Sequence, residues 1–323
     1  VELFRSVNID WLGKKWYFLG FSLIFSVAGI ISMGVHWSHI GSPVPLGVDF
    51  QGGTQVQVQF AQAPNADKIR TAMDASGVKD ARIQNIKNVD QAASTDVLIS
   101  LPEQTNESAL DTGREQIVNA LHAHYDNPFT VRNVQVVGPT VGRQLEKQAG
   151  LATLYSMAGM LVYLWFRFQL IYGVAAVVAC FHDTLITVGA FALTNQEISL
   201  TVIAAILTLV GYSMNDTIVV FDRIRENLRI SRREALPDVV NRSINQTLSR
   251  TVLTSGLTFI TVLSLYVFGG QVLRGFSFAL VIGILIGTYS SIAVAAPMLV
   301  AYQQWRGGRG GSAVLPAAKR AKV

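Results

Sequence analysis

Long apolar runs separated by short polar stretches dominate this chain. Six of them, at about 16–35, 148–166, 169–193, 199–221, 251–269 and 276–301, are long enough to cross a hydrocarbon core about 30 Å thick. Between residues 36 and 147 the pattern changes. Gly47–Phe60 ends in strict alternation, apolar at Val56, Val58 and Phe60, which predicts a half-buried strand. Asn65 or Asp67 can cap a helix running to about Ala75 and closed by Gly77. Ala81–Asn88 and Thr95–Leu101 are strand-like, Glu107–Tyr125 is helical, and Thr130–Val137 alternates again. The order β-α-β-β-α-β is the split βαβ pattern of a ferredoxin-like sandwich. The expected fold class is an α-helical polytopic membrane protein with six transmembrane helices and an α+β ferredoxin-like domain between the first and second.

Four regions follow from this pattern. Residues 1–35 form an N-terminal segment and the first span, and residues 36–147 form the inserted domain. Residues 148–305 hold the other five spans with a polar loop at 222–250, and 306–323 form a Gly-rich, then basic tail expected to be disordered. The first apolar run follows Lys14-Lys15, as a signal peptide would. No small-x-small cleavage site follows it, so an uncleaved anchor is expected.

Composition supports the membrane reading. The chain is 50% hydrophobic and 15% charged with a mean hydropathy of +0.37, against about 25% charged residues in soluble domains. The net charge of +5 would suggest nucleic acid in a soluble protein. Here the basic residues flank apolar runs, so contact with the lipid bilayer is expected and nucleic acid is not. Arg223, Arg225, Arg229, Arg232, Arg233, Arg242 and Arg250 lie in the loop between spans four and five, while Thr194–Glu197 holds no basic residue. The positive-inside rule then places both termini in the cytoplasm and the inserted domain outside it. The single cysteine, Cys180, excludes an intrachain disulfide.

The candidate chemistry lies inside the spans. Asp216 sits in the last third of the fourth apolar run, where a carboxylate costs about 2.5–3.5 kcal/mol on insertion scales. A proton site or a buried ion pair accounts for it; a wetted interfacial residue is the plainer alternative. At helical spacing Leu209, Tyr212, Ser213, Asp216, Val220 and Arg223 fall near one face. Ser213 and Tyr212 are thus candidate hydrogen-bond donors to Asp216. Arg250, at the start of the fifth span and at a comparable depth, is its expected partner; the plainer reading makes Arg250 a snorkelling anchor. His182 and Asp183 in span three, with Asn215 and Ser213, are candidates either to extend a proton path or to brace helices. Gly283 and Gly287 in span six match a small-xxx-small packing pattern. The charged run from Asp222 to Arg229 is expected to be a solvated helix face.

No P-loop, dinucleotide fingerprint, zinc-protease motif or nucleophile elbow is present. His122-x-His124 has no companions for a metal site. An enzyme, a cofactor and a metal are therefore not expected.

The run Val210-Gly-Tyr-Ser-Met-Asn-Asp-Thr-Ile-Val-Val-Phe-Asp-Arg-Ile-Arg-Glu-Asn227 resembles the fourth-span signature of the SecF branch of the SecD/SecF family, within the RND superfamily. Gly47-Val-Asp-Phe-Gln-Gly-Gly-Thr54, Phe181-His-Asp183 and Asn245-Gln-Thr-Leu-Ser-Arg-Thr251 are similar to the same family, and the likeness runs over about 1–305. It marks Gly211, Asp222, Arg223, Arg225, Asp49, Gly52 and Gly53 as family-motif positions. It implies a subunit of the Sec protein-export machinery in the bacterial cytoplasmic membrane, completed by the six-helix subunit SecD. It further implies partnership with the SecYEG channel, with YajC and YidC, and with unfolded preprotein, energised by the proton gradient. Positions matching Asp216 and Arg250 are those the family ties to proton use. Two other classes stay open: a proton-coupled RND-type small-molecule exporter subunit, and a passive scaffold.

Overall fold

The computed structural model describes residues 8–78, 81–86, 95–102, 110–168, 170–231 and 234–306. Arg232, Arg233 and the expected disordered tail from residue 307 onward lie outside them, as do the ends predicted for the second strand and for the helix starting at Glu107.

The inserted domain opens with a one-turn helix, α2 (Val48–Gln51), after the first span α1 (Lys15–Ile40). There follow β1 (Gly53–Phe60), α3 (Ala66–Ala75), β2 (Arg82–Ile86), β3 (Asp96–Pro102), α4 (Leu110–His124) and β4 (Phe129–Val137). The strands form one antiparallel sheet in the order β2-β3-β1-β4. Alternation decides its faces, since successive side chains point to opposite sides. Val56, Val58 and Phe60 of β1, with Val97 and Ile99 of β3, are buried against Ile69 and Met73 of α3 and Ile117 and Leu121 of α4. Each such burial contributes about 1.5–3 kcal/mol. The opposite face carries Gln55, Gln57, Gln84 and Gln135, which line a polar cleft of about 570 Å³ above the helix bundle. Asn65 caps α3 as expected, its side chain accepting from the Asp67 and Lys68 amides, and Gly77 closes it at φ +76°.

Six helical segments among the described residues are long and apolar enough to span a membrane. After α1 these are α5 (Pro139–Arg167), α6 (Leu170–Leu193), α7 (Leu200–Ile230) and α8 (Leu236–Phe268). The sixth is composite: α9 (Gly270–Ser290), a π turn (Ser291–Ala295) and α10 (Ala296–Arg306). Half or more of the apolar stretch is buried in α6, α7 and the sixth segment, whereas α1, α5 and α8 leave most of theirs uncovered. The centre of the bundle is therefore α6, α7 and α9. Gly283 and Gly287 of α9 lie against Leu209 and Ser213 of α7, which gives the small-xxx-small pair a packing role. α1 crosses α6 at two glycines: a Cβ on Gly29 would stand 3.0 Å from the Gly189 Cα.

Several helices outrun their apolar cores. α5 begins at Pro139, α7 continues to Ile230, and α8 starts at Leu236 with a proline in its first turn. Proline is tolerated there because the first-turn amides have no helical acceptor. The polar loop expected at 222–250 thus becomes two projecting helix ends joined by residues 231–235. The N-terminal segment is tied to α8 at this end. The Asn241 side-chain oxygen accepts from the Trp11 and Leu12 amides at 3.0 and 3.1 Å, and that of Asn245 from the Trp11 indole at 3.0 Å.

Candidate functional site

Among the described residues, two carboxylates are buried within the bundle. Asp216 of α7 is 2% exposed and accepts a hydrogen bond from the Ser255 hydroxyl of α8 at 2.7 Å. Thr288 of α9 and the neighbouring Asn215 lie close enough to act on the same carboxylate. Asp183 of α6 is 1% exposed and takes three partners. Its Oδ2 accepts from Ser213 of α7 at 2.5 Å and Ser290 of α9 at 2.8 Å, while Oδ1 lies 2.9 Å from His182 Nδ1. The other ring nitrogen of His182 meets the Ser22 hydroxyl of α1. Asp183 therefore joins four helices through side chains alone: α6, α7, α9 and, by way of His182, α1. Buried carboxylates need such donors, because an unsolvated charge or dipole is costly.

This arrangement corrects two sequence expectations. Ser213 donates to Asp183 and not to Asp216, and the buried Tyr212 hydroxyl has no hydrogen-bond partner among the described residues. Asp216 and Arg250 do not form an ion pair either; the serine at 255 takes that place, and Arg250 is exposed. The reason is helical phase. Five residues separate Arg250 from Ser255, a rotation of about 140° once full turns are removed. When α8 turns Ser255 inward, Arg250 must face out. Thr251, on the inward side with Ser255, is buried with its hydroxyl unpartnered among the described residues.

Outward-facing polar and small positions recur at helical spacing on the same two helices. On α7 they are Thr201, Ala204, Thr208, Gly211 and Asn215; on α8, Arg250, Thr254, Thr261 and Ser264 share the outward side with exposed Val252, Leu257, Ile260 and Leu263. Lipid tails offer such groups nothing, whereas small and polar residues are what close helix pairs in membranes use.

Beyond the apolar region the motif residues brace the projecting helix ends. Asp222 lies 3.3 Å from Arg167, Arg223 bonds Glu226 at 2.6 Å and Gln246 at 2.7 Å, and Arg225 donates to the Arg167 carbonyl at 3.3 Å. The charged run is thus more than a solvated face, although exposed pairs of this kind are each worth only about 0–1 kcal/mol.

At the other end, the residues around Asp49 join the sheet to the bundle. Gly47 N–H donates to the Ile198 carbonyl at 3.0 Å, and Ile198 N–H to Pro45 at 2.8 Å. Gly52 and Gly53 adopt φ of +77° and +125°, a conformation closed to most side chains, and this turns the chain from α2 into β1. A Cβ on Gly142 of α5 would stand 2.7 Å from the Phe50 carbonyl. Asp49 accepts from the Leu200 amide at 2.8 Å and from Gln135 of β4 at 2.6 Å. Glu197, in the link before α7, reaches the far edge strand, 3.7 Å from Arg82 and 3.2 Å from Gln84 of β2. Burial pushes its carboxyl above the ordinary range, with Arg82 working the other way.

Residues 117–305 match the family described as protein export membrane protein SecD/SecF, C-terminal. The chain belongs to the SecD/SecF family. Residues 40–64 separately match the SecD/SecF GG motif, the segment that contains Asp49, Gly52 and Gly53. Relatives in the SecD/SecF family include a protein translocase subunit SecF from Koribacter versatilis, 56% identical over 98% of this chain and 96% of the relative. Another from Desulfurispirillum indicum is 42% identical over 94% and 93%. Among solved structures, SecDF, a translocon-associated membrane protein from Thermus thermophilus, aligns with a TM-score of 0.80 at 34% identity. That alignment covers 93% of this chain and 39% of the SecDF chain, so the present chain spans well under half of it. SecDF in a super-membrane-facing form aligns with a TM-score of 0.65 at 36% identity, over 94% and 40%. Six apolar helices and membership of this family make the chain a multi-pass membrane protein.

Proposed function

We propose that this chain is a SecF-type subunit of the Sec protein translocase, in which Asp216 takes up and releases protons to drive preprotein export across the bacterial cytoplasmic membrane. The observation that carries this reading is Asp216 itself: a buried carboxylate held at membrane depth by a neutral hydroxyl, with no cation paired to it among the described residues. A structural carboxylate gains from a fixed counter-charge; a carrier must be able to lose its charge. Asp183 and His182 form a second titratable pair, one serine away along α7.

The chain acts as half of a larger bundle. The outward polar positions on α7 and α8, the exposed Arg250 among them, fit a second set of helices. The likeness to SecDF, in which a comparable half occupies 39% of the chain, supports SecD as that partner. The β-α-β-β-α-β order with strands in the order β2-β3-β1-β4 supports a ferredoxin-like domain. The asymmetry of basic loops supports its extracytoplasmic placement with both termini in the cytoplasm. The SecYEG channel and the unfolded preprotein complete the assembly in this reading.

The energy is sufficient. A proton crossing roughly 180 mV releases about 4 kcal/mol, enough to bias a two-state motion about a thousandfold. One solved SecDF is described as being in a super-membrane-facing form, which fits more than one arrangement of the family's architecture. The test is the maturation rate of a pulse-labelled secretory precursor in cells depleted of the native subunit and supplied with wild type or Asp216→Asn. Slow export, with the variant inserted and bound to its partner, is expected. Normal export would make the chain a passive scaffold.

A further inference from the structure

We propose that Asp49 is the positioning residue that couples α7 to the extracytoplasmic sheet, gripping the helix's first turn and an edge strand with one carboxylate. The proposal rests on the proton-driven reading of α7 above.

α7 does not cap itself. Ser199 stands at its N-cap but makes no capping bond, and its hydroxyl lies instead 2.8 Å from that of Thr201. The Leu200 amide, one of the first-turn donors that lack a helical acceptor, goes to Asp49 Oδ2 at 2.8 Å, 151 residues away in the chain. A carboxylate is the group a helix N-terminus favours, through its dipole as well as the hydrogen bond. The other oxygen, Oδ1, is held by Gln135 of β4 at 2.6 Å. One side chain thus touches both a membrane helix and the edge of the sheet.

Its stem is rigid. α2 is a single turn whose preceding Gly47 is bonded to Ile198 and whose Phe50 carbonyl is packed on Gly142 of α5. The two positive-φ glycines at 52 and 53 then lead straight into the central strand β1. Asp216 lies 16 residues from Leu200 on the same unbroken helix, about 24 Å at 1.5 Å per residue. A shift or tilt of α7 started at Asp216 therefore arrives at Asp49 through a stiff rod. Glu197 holds the opposite edge, β2, but from the link before the helix and through side chains of Arg82 and Gln84. It steadies the sheet, while Asp49 alone of the two bonds the helix backbone.

The test compares Asp49→Ala, Asp49→Asn and a Gln135→Cys/Thr201→Cys pair, each in the assembled complex at equal membrane level. Export is followed by pulse-labelling, and proton flux in inverted membrane vesicles. The native Cys180 is buried and stays out of the labelling. Asp49→Ala should slow export about fivefold, the equivalent of one lost helix cap, with proton flux unchanged. Asp49→Asn, which keeps an acceptor for the Leu200 amide, should remain near wild type. The cysteine pair should be slow until a short bis-maleimide bridges β4 to α7, and then recover. The proposal falls if Asp49→Ala exports normally, if export and proton flux drop in proportion, or if bridging restores nothing. Asp216→Asn run in parallel separates the two levels: normal export in that variant overturns the proton-driven reading itself.

Discussion

Removing the Ser213 hydroxyl should weaken the protein through Asp183 and leave Asp216 almost untouched. The bond to Asp183 is 2.5 Å long and fully buried. Hydrogen bonds to charged groups are worth about 1.5–3 kcal/mol, but interhelical bonds inside membranes average about 0.6 and reach about 1.7. Asp183 keeps Ser290 and His182 when Ser213 is lost, so the expected cost of Ser213→Ala is about 1 kcal/mol. In a chain of this size that corresponds to a fall in Tm of about 2 °C. The buried Cys180 supplies the assay, since a thiol-reactive dye reports its exposure on heating. A double-mutant cycle then apportions the bond. Ser213→Ala with Asp183→Asn should show a coupling of about 1 kcal/mol, clearly larger than that of Ser213→Ala with Asp216→Asn, since Ser213 donates its hydrogen bond to Asp183 and not to Asp216. Equal or larger coupling to Asp216 would refute the assignment and restore the single-face reading of α7.

Glu197 makes a pH prediction. Its folded-state pKa is raised above 4.5 by burial, so the folded protein holds the proton more tightly than the unfolded chain. Stability is then lost as pH rises from 4.5 through the raised value. Glu197→Gln should flatten Tm across that window and melt no lower than wild type at pH 7; a retained slope would reject the cause. The glycine crossing makes a steric one. Gly29→Ala must push a methyl to within 3.0 Å of the Gly189 backbone, costing about 1–3 kcal/mol. Gly34→Ala on the same helix meets nothing within 4 Å and should hold or slightly raise Tm, so equal losses in the two variants would dismiss the close contact as the cause.

What could be read ahead of the structure was whatever repeats locally. The six apolar runs, the alternation at Val56, Val58 and Phe60, and the Asn65 cap each depend on neighbours within a few residues, and each stands in the structure. The carboxylate partners do not repeat locally. Depth along a span is legible from sequence, but rotation about its axis is set by packing, and 140° separated Arg250 from the inward face of α8. Ser255 and Ser290 gave no more signal than any serine in an apolar run, and their meaning comes from helices 39 and 107 residues away. Asp49 was legible as a motif and not as a cap, because the helix end it caps lies 151 residues away in the chain.

The π turn at Ser291–Ala295 gives the sixth span a property that a uniform helix lacks. A π turn holds one residue more than an α turn, so one residue of slack is wound in immediately after Ser290. Thr288, beside Asp216, and Ser290, on Asp183, sit within three residues of each other at its edge. Rewinding that slack to α geometry would turn α9 and α10 relative to each other by about 100°. Both acidic centres thus abut the one stretch of the sixth span where its winding departs from α geometry.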